Sequence, residues 1–230
     1  MSREVPIFNP TSDQCFELEG KGRYNFVRTA ENIEKLVAEG RYNEACEARY
    51  DAFVALADVM PEDESIVLNW EHANSRAAMG IIYGSAMDHF RIGDLEMTMA
   101  QLEMLLECDP EDHFEAVNML AMCYVATEEW DSYDDIAIDL SEKSAEGVVV
   151  RLWASERRGA MDGKLLTLLK SRYRAYYEEL ISDNHPDDEA YRRDIASERP
   201  SASALAREWW LITEPLWAEY HDFVESLKAR

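Results

Sequence analysis

The sequence predicts an all-α protein of stacked antiparallel helical hairpins. Apolar residues recur at helical spacing through most of the chain, β-branched alternation is nearly absent, and short breaks, most of them bearing glycine or proline, interrupt the apolar runs. With 47% hydrophobic and 10% aromatic residues the chain carries enough apolar mass to fold in water despite a net charge of −24.

Taken in order, residues 1–21 hold Pro6, Pro10 and Gly20 with little periodicity and read as an irregular N-terminal arm. From Tyr24 the breaks Gly40-Arg41-Tyr42, Pro61-Glu62-Asp63, Gly93-Asp94-Leu95, Asp109-Pro110-Glu111-Asp112 and Glu128-Glu129-Trp130 set helices near 24–39, 42–59, 64–91, 94–108, 112–127 and 130–144. They pair as three hairpins within residues 22–144.

Residues 145–230 form a helical region that continues or caps the stack. Leu165, Leu169, Tyr173, Tyr176 and Leu180 share one face of a helix near 163–182. A last helix spans 201–229, capped by Ser201 or Ser203, with a stripe of Trp209, Ile212, Leu216, Tyr220, Phe223 and Leu227. Pro215 is expected to kink or split it. Trp210 and Trp217 lie beside the stripe and widen the face that covers the open end of the stack.

The breaks alternate in kind, a tight glycine turn inside a hairpin and a proline-acid turn between hairpins, which is an internal repeat. Gly40-Arg41-Tyr42-Asn43-Glu44-Ala45, Gly93-Asp94-Leu95 with Leu102, Leu105 and Asp109-Pro110, and Leu120-Ala121 with Tyr124 and Trp130 resemble the tetratricopeptide repeats, two antiparallel helices over roughly 34 residues. Gly40 and Gly93 stand 53 residues apart and Tyr133 sits where the family places alanine, so the chain departs from the pattern there. The resemblance implies a right-handed α-solenoid. It also implies a concave groove, lined by the first helix of each hairpin, for a peptide or partner helix: Glu31 and Glu34, then Tyr83, Met87 and Arg91, then Asn118, Met122 and Val125. Methionine and tyrosine beside glutamates suit a basic or apolar protein ligand.

The surplus of acids repels phosphate backbones and anionic lipid, which argues against nucleic-acid and membrane partners. No apolar segment approaches the roughly 20 residues of a membrane helix. The opening residues carry no signal-like basic and apolar pattern, and the expected location is the cytoplasm. Cys15, Cys46, Cys108 and Cys123 are widely separated and read as reduced thiols.

No cofactor, metal or catalytic motif emerges. Glu71-His72, and His221 with Glu225, supply too few ligands for a metal. Gly80 and Gly84 lack a phosphate-loop context and read as close-packing sites. Glu128, Asp131, Asp135, Asp139 and Glu142 follow one helical face, whereas calcium needs ligands on an irregular loop. Residues 151–174 carry seven cations, Arg151, Arg157, Arg158, Lys164, Lys170, Arg172 and Arg174, against two acids. This basic island either pairs with that acidic face or, through Arg157, Arg158, Arg172 and Arg174 with Tyr173, Tyr176 and Tyr177, grips an anion.

The expected function is a non-catalytic protein-interaction scaffold. Its alternatives are a chaperone or assembly factor for one client, and an enzyme or small-ligand protein with a pocket walled by Trp209, Trp210, Trp217 and Tyr220.

Overall fold

The computed structural model describes residues 8–12, 15–61 and 66–230. Its described residues are mainly helical. They form α1 (Phe26–Ala38), α2 (Tyr42–Ala57), α3 (Ala73–Arg91), α4 (Leu95–Cys108), α5 (Ala116–Thr127), α6 (Trp130–Ile136), α7 (Ala145–Arg157), α8 (Gly163–Arg172), α9 (Arg174–Leu180), α10 (Glu189–Ile195), α11 (Ala202–Glu219) and α12 (His221–Lys228). No helix among them is long and apolar enough to cross a membrane.

Part of the expected irregular arm is ordered. β1 (Phe8–Pro10) pairs antiparallel with β2 (Cys15–Leu18), and β2 pairs parallel with β3 (Val67–Leu68), with Phe8 opposite Leu18 and Phe16 opposite Leu68. Strands this short leave almost no alternation to read; residues 1–7, 13 and 14 of the arm lie outside the described residues. The helix expected over 64–91 starts only at Ala73, because β3 takes up Val67–Leu68 and His72 and Asn69 close a turn before it; residues 64 and 65 lie outside the described residues.

Four helix pairs are joined by one turn. The residue after the first helix is left-handed, Gly40 (φ 73°), Gly93 (φ 77°), Glu128 (φ 61°) and Gly159 (φ 94°). The following amide bonds five residues back: Arg41 to Leu36 (2.9 Å), Asp94 to His89 (3.0 Å), Glu129 to Tyr124 (2.9 Å) and Ala160 to Ser155 (3.0 Å). That is the Schellman closure, which satisfies helix-end carbonyls and favours glycine at the left-handed position. Arg41, Asp94 and Glu129 then start the next helix with nearly equal dihedrals, ψ 59°, 74° and 70°. Gly93, Glu128 and Gly159 are spaced by 35 and 31 residues. The same turn thus recurs between α7 and α8, beyond residue 144.

The chain divides into two compact units, Met1–Phe90 with Asp94–Leu120, and Arg91–Gly93 with Ala121–Arg230; the boundary falls inside α5. In the first, α1 packs on α2, and the core gathers Leu18, Phe26, Leu56, Met79, Ile82, Phe90, Leu102 and Leu105, all at 3% exposure or less. Asn74 joins its parts. The side-chain oxygen accepts from the amides of Phe26 (2.7 Å) and Val27 (3.3 Å), capping α1 from α3, and its nitrogen donates to the carbonyls of Leu18 (2.9 Å) and Tyr24 (3.0 Å). Thr98 and Gln101 of α4 reach Ala86 and Ser85 of α3. At Gly84 a β-carbon would come within 3.0 Å of the Arg49 side chain, which pairs with Asp88 at 2.6 Å, a close approach of α2 and α3.

In the second unit α6 stops at Ile136, short of the expected 144, because Ser141 and Ser144 build a turn that caps α7 at Gly147. Asp139 therefore lies beyond the helix on which the acidic face was drawn. A β-carbon on Gly147 would stand 2.5 Å from the Ser141 carbonyl. Gly147→Ala is accordingly expected to shift this turn and lower the melting temperature by several degrees, about 2 kcal/mol, in a thermal melt. The helix expected over 163–182 is two, broken at Tyr173 (ψ 40°). Pro215 stays inside α11, and the break falls at Tyr220 (ψ 42°). The aromatic core is Trp153 with Trp217 (5.0 Å), Tyr220 (5.3 Å) and Phe223 (6.3 Å), extended by Trp209 to Trp217 (5.9 Å).

Candidate partner-binding face

A row of four rings crosses one side of the first unit. It is built by the segment between α4 and α5. Asp109 ends α4 and is buried, its carboxylate accepting from the His113 amide (2.9 Å) and from His113 Nδ1 (2.7 Å). Asp112 and Glu115 on either side of His113-Phe114 are left-handed, φ 51° and 53°. Such conformations cost of order 1 kcal/mol in a non-glycine residue, and where they occur they often hold side chains that a binding site uses. The Asp112 carboxylate caps α5 through the amides of Ala116 (2.6 Å) and Val117 (3.2 Å).

This segment lays His113 flat on Trp70, at 4.0 Å and 4°, and sets Phe114 edge-on to Trp70 at 5.5 Å. Tyr83 of α3 stacks on Phe114 at 5.2 Å and 22°. Phe114 lies over Gly80, 3.7 Å from where a β-carbon would stand. Trp70, Tyr83 and Phe114 are half-buried. Asn118 of α5 buries a side-chain oxygen that has no hydrogen-bond partner among the described residues.

Of the groove residues expected from sequence, Tyr83 joins the row by stacking on Phe114, and Asn118 stands in α5 of the same unit. Glu31, Glu34 and Arg91 are exposed. Met87, Met122 and Val125 are corrected: they are buried, at 9%, 1% and 0% exposure, and line no open surface. In α5, Ala-Val-Asn-Met-Leu-Ala-Met-Cys-Tyr-Val-Ala-Thr is apolar on every side, so side-chain direction there cannot be inferred from polarity. Trp70, His113 and Phe114 escaped the sequence reading because they stand in non-helical segments, where no periodicity marks a shared face.

The basic island pairs with the acidic stretch of its own unit. Arg151 meets Glu142 (2.9 Å), Arg157 meets Glu128 (2.6 Å) and Arg158 meets Asp134 (2.8 Å). Arg157 also lies over the Tyr220 ring at 5.0 Å, and Arg158 over Trp130 at 4.6 Å. The four-arginine anion site is therefore not assembled: Arg174 pairs with Glu178 (2.7 Å) and Arg172 lies over Tyr173. The tyrosines assigned to it hold internal bonds, Tyr173 to the Glu142 carbonyl, Tyr176 to Glu146 and Tyr177 to the Leu227 carbonyl. Arg157→Ala is expected to cost about 1–3 kcal/mol in urea unfolding, by loss of packing on Tyr220 and of the Glu128 pair. Replacing the exposed Arg172 and Arg174 with glutamine should change stability by no more than about 0.5 kcal/mol.

Among the open clefts of the described residues, one of about 420 Å³ beside α2 is lined by Arg23, Asp51, Ala52 and Asp58, and one of about 500 Å³ in the second unit by Asp134, Glu142, Arg151 and Arg158. Trp209, Trp210, Trp217 and Tyr220 wall neither; Trp209, Trp217 and Tyr220 belong to the aromatic core. His185 stacks on Trp210 at 4.0 Å, and Glu179 beneath it accepts from His185 and Arg207.

The remaining chemistry is muted. Burial pushes the thiols of Cys108 and Cys123 up to about 12, which keeps them protonated at neutral pH. Ser75, near His72 at 3.1 Å, is fully buried and accepts from the Leu18 amide. Among the described residues no three side chains of His, Cys, Asp or Glu group as metal ligands. Comparison with protein-family models, curated proteins and solved structures finds no match to the chain.

Burial raises the Asp112 carboxyl above the usual carboxylate range, although the α5 amides oppose the shift. A raised folded-state pKa stabilises below the unfolded value near 4, and that gain is lost as pH rises through the folded value. The substitution Asp112→Asn keeps a capping oxygen and tolerates the left-handed backbone without the charge. The variant is expected to melt about 1–3 °C higher than the parent at pH 7, with the difference vanishing below about pH 4.

Proposed function

We propose that the chain is a non-catalytic protein-interaction scaffold of tetratricopeptide-like hairpins, and that it holds a peptide or partner helix against the Trp70–Phe114–Tyr83 face. The observation that carries this proposal is the half-buried aromatic row itself, presented by a segment with two left-handed acidic residues. Aromatic side chains offer large contact area at small entropic cost and are enriched where proteins bind one another. The fourfold recurrence of one hairpin turn supports the repeat character of the scaffold.

The test is a pull-down with the full chain as bait, comparing the parent with a Tyr83→Ala/Asn118→Ala variant whose circular dichroism and melting temperature match the parent's. A partner retained by the parent and lost by the variant is expected. Partners held equally by both would overturn the assignment of this face.

A further inference from the structure

We infer that the occupant of the aromatic face is a basic segment whose lysine or arginine side chains dock over the Phe114–Tyr83 end of the row; the inference rests on the scaffold function proposed above. The chain itself shows what this face accepts. Arg76 lies over the Trp70 ring at 5.9 Å and donates to the Trp70 carbonyl at 2.9 Å, so the Trp70 end already holds a guanidinium. At the other end, Phe114 and Tyr83 stack as a half-buried pair above Gly80, which adds no side chain between them and α3. A cation placed on such a ring is drawn to the negative π face.

The acids near the row give the sign. Glu115 follows Phe114 in the chain and Glu71 follows Trp70; both are exposed and have no ion-pair partner among the described residues. Glu111 stands 3.5 Å from His113 Nε2 with its own side chain 85% exposed. A net charge of −24 over the whole chain draws a basic segment to the surface and repels an acidic one.

Random twelve-residue peptides displayed on phage, selected on the immobilised full chain and re-measured by fluorescence anisotropy, test this. The expected winners carry lysine or arginine and weaken about tenfold on Tyr83→Ala/Phe114→Leu. They weaken several-fold on Glu111→Gln/Glu115→Gln, and lose affinity as salt is raised. Because both glutamates are exposed, the second variant decides the matter even where the first fails to fold. Winners without basic residues that still depend on the ring pair would overturn the inference and leave the scaffold standing. An absence of any winner sensitive to either variant would overturn both.

Discussion

Asn74→Ala is expected to lower the stability of the first unit by about 3–5 kcal/mol, the largest effect of any polar substitution in it. Asn74 is 6% exposed and serves four backbone groups, the amides of Phe26 and Val27 and the carbonyls of Leu18 and Tyr24. A buried backbone group that loses its partner costs roughly 1–3 kcal/mol, and alanine takes the Asn74 partner from all four. Asn74→Asp retains both acceptor contacts, loses both donors and should fall between the parent and alanine. Urea unfolding supplies the free energies. Hydrogen exchange locates the damage, with faster exchange expected in the first turn of α1 and at β2. Unchanged exchange there would show that α1 does not depend on its cap from α3.

In the second unit the corresponding prediction is Trp153→Ala, expected to cost about 4 kcal/mol. Trp153 is 1% exposed and makes edge contacts with Trp217 and Tyr220 and a tilted one with Phe223, so three rings lose a common neighbour. The Arg157 guanidinium, which lies over Trp153 at 6.0 Å and over Tyr220, loses part of its support as well. Trp153→Phe keeps ring contact and should cost less than half as much. A loss below 1 kcal/mol for alanine, read from denaturant midpoints at constant slope, would contradict the view that this cluster is the core of the unit.

Both predictions concern residues whose weight was hidden in the sequence. Helical periodicity placed Asn74 on a helix but had no means of telling a capping asparagine from a solvated one, because its partners lie about 50 positions away. Periodicity did set α1, α2 and α4 within two residues of their observed ends, since Gly40 and Gly93 punctuate the chain sharply. It failed where local chemistry was quieter. The short strands of the arm gave too few residues to alternate, and the Ser141–Ser144 turn ended α6 early without a glycine or proline to announce it.

The aromatic face shows the same division. Tyr83, which the resemblance of the hairpins to a repeat family singled out by helix position, stands in the ring row. Met87, Met122 and Val125 were misread because α5 and the end of α3 are apolar on several sides, and only packing tells which side is covered. The rings that complete the row, Trp70, His113 and Phe114, sit outside the helices. A usable signal was present in Asp109 through Phe114: a proline-acid break that ends in two rings, where a linker made only for turning would end in small polar residues. The pairing of the basic island with the acidic stretch was foreseeable from opposite charge and proximity along the chain, and Arg157 and Arg158 bear it out in distance.

Placing a photo-reactive benzoylphenylalanine at Tyr83, and separately at Ile138, tests the central claim most directly. Ile138 is 84% exposed and is not one of the residues of the ring row, so it serves as an exposed control position. On irradiation in native extract, the account predicts a discrete partner adduct from position 83 that is absent from position 138 and is competed away by unlabelled parent chain. An adduct from 138 with none from 83 would contradict it.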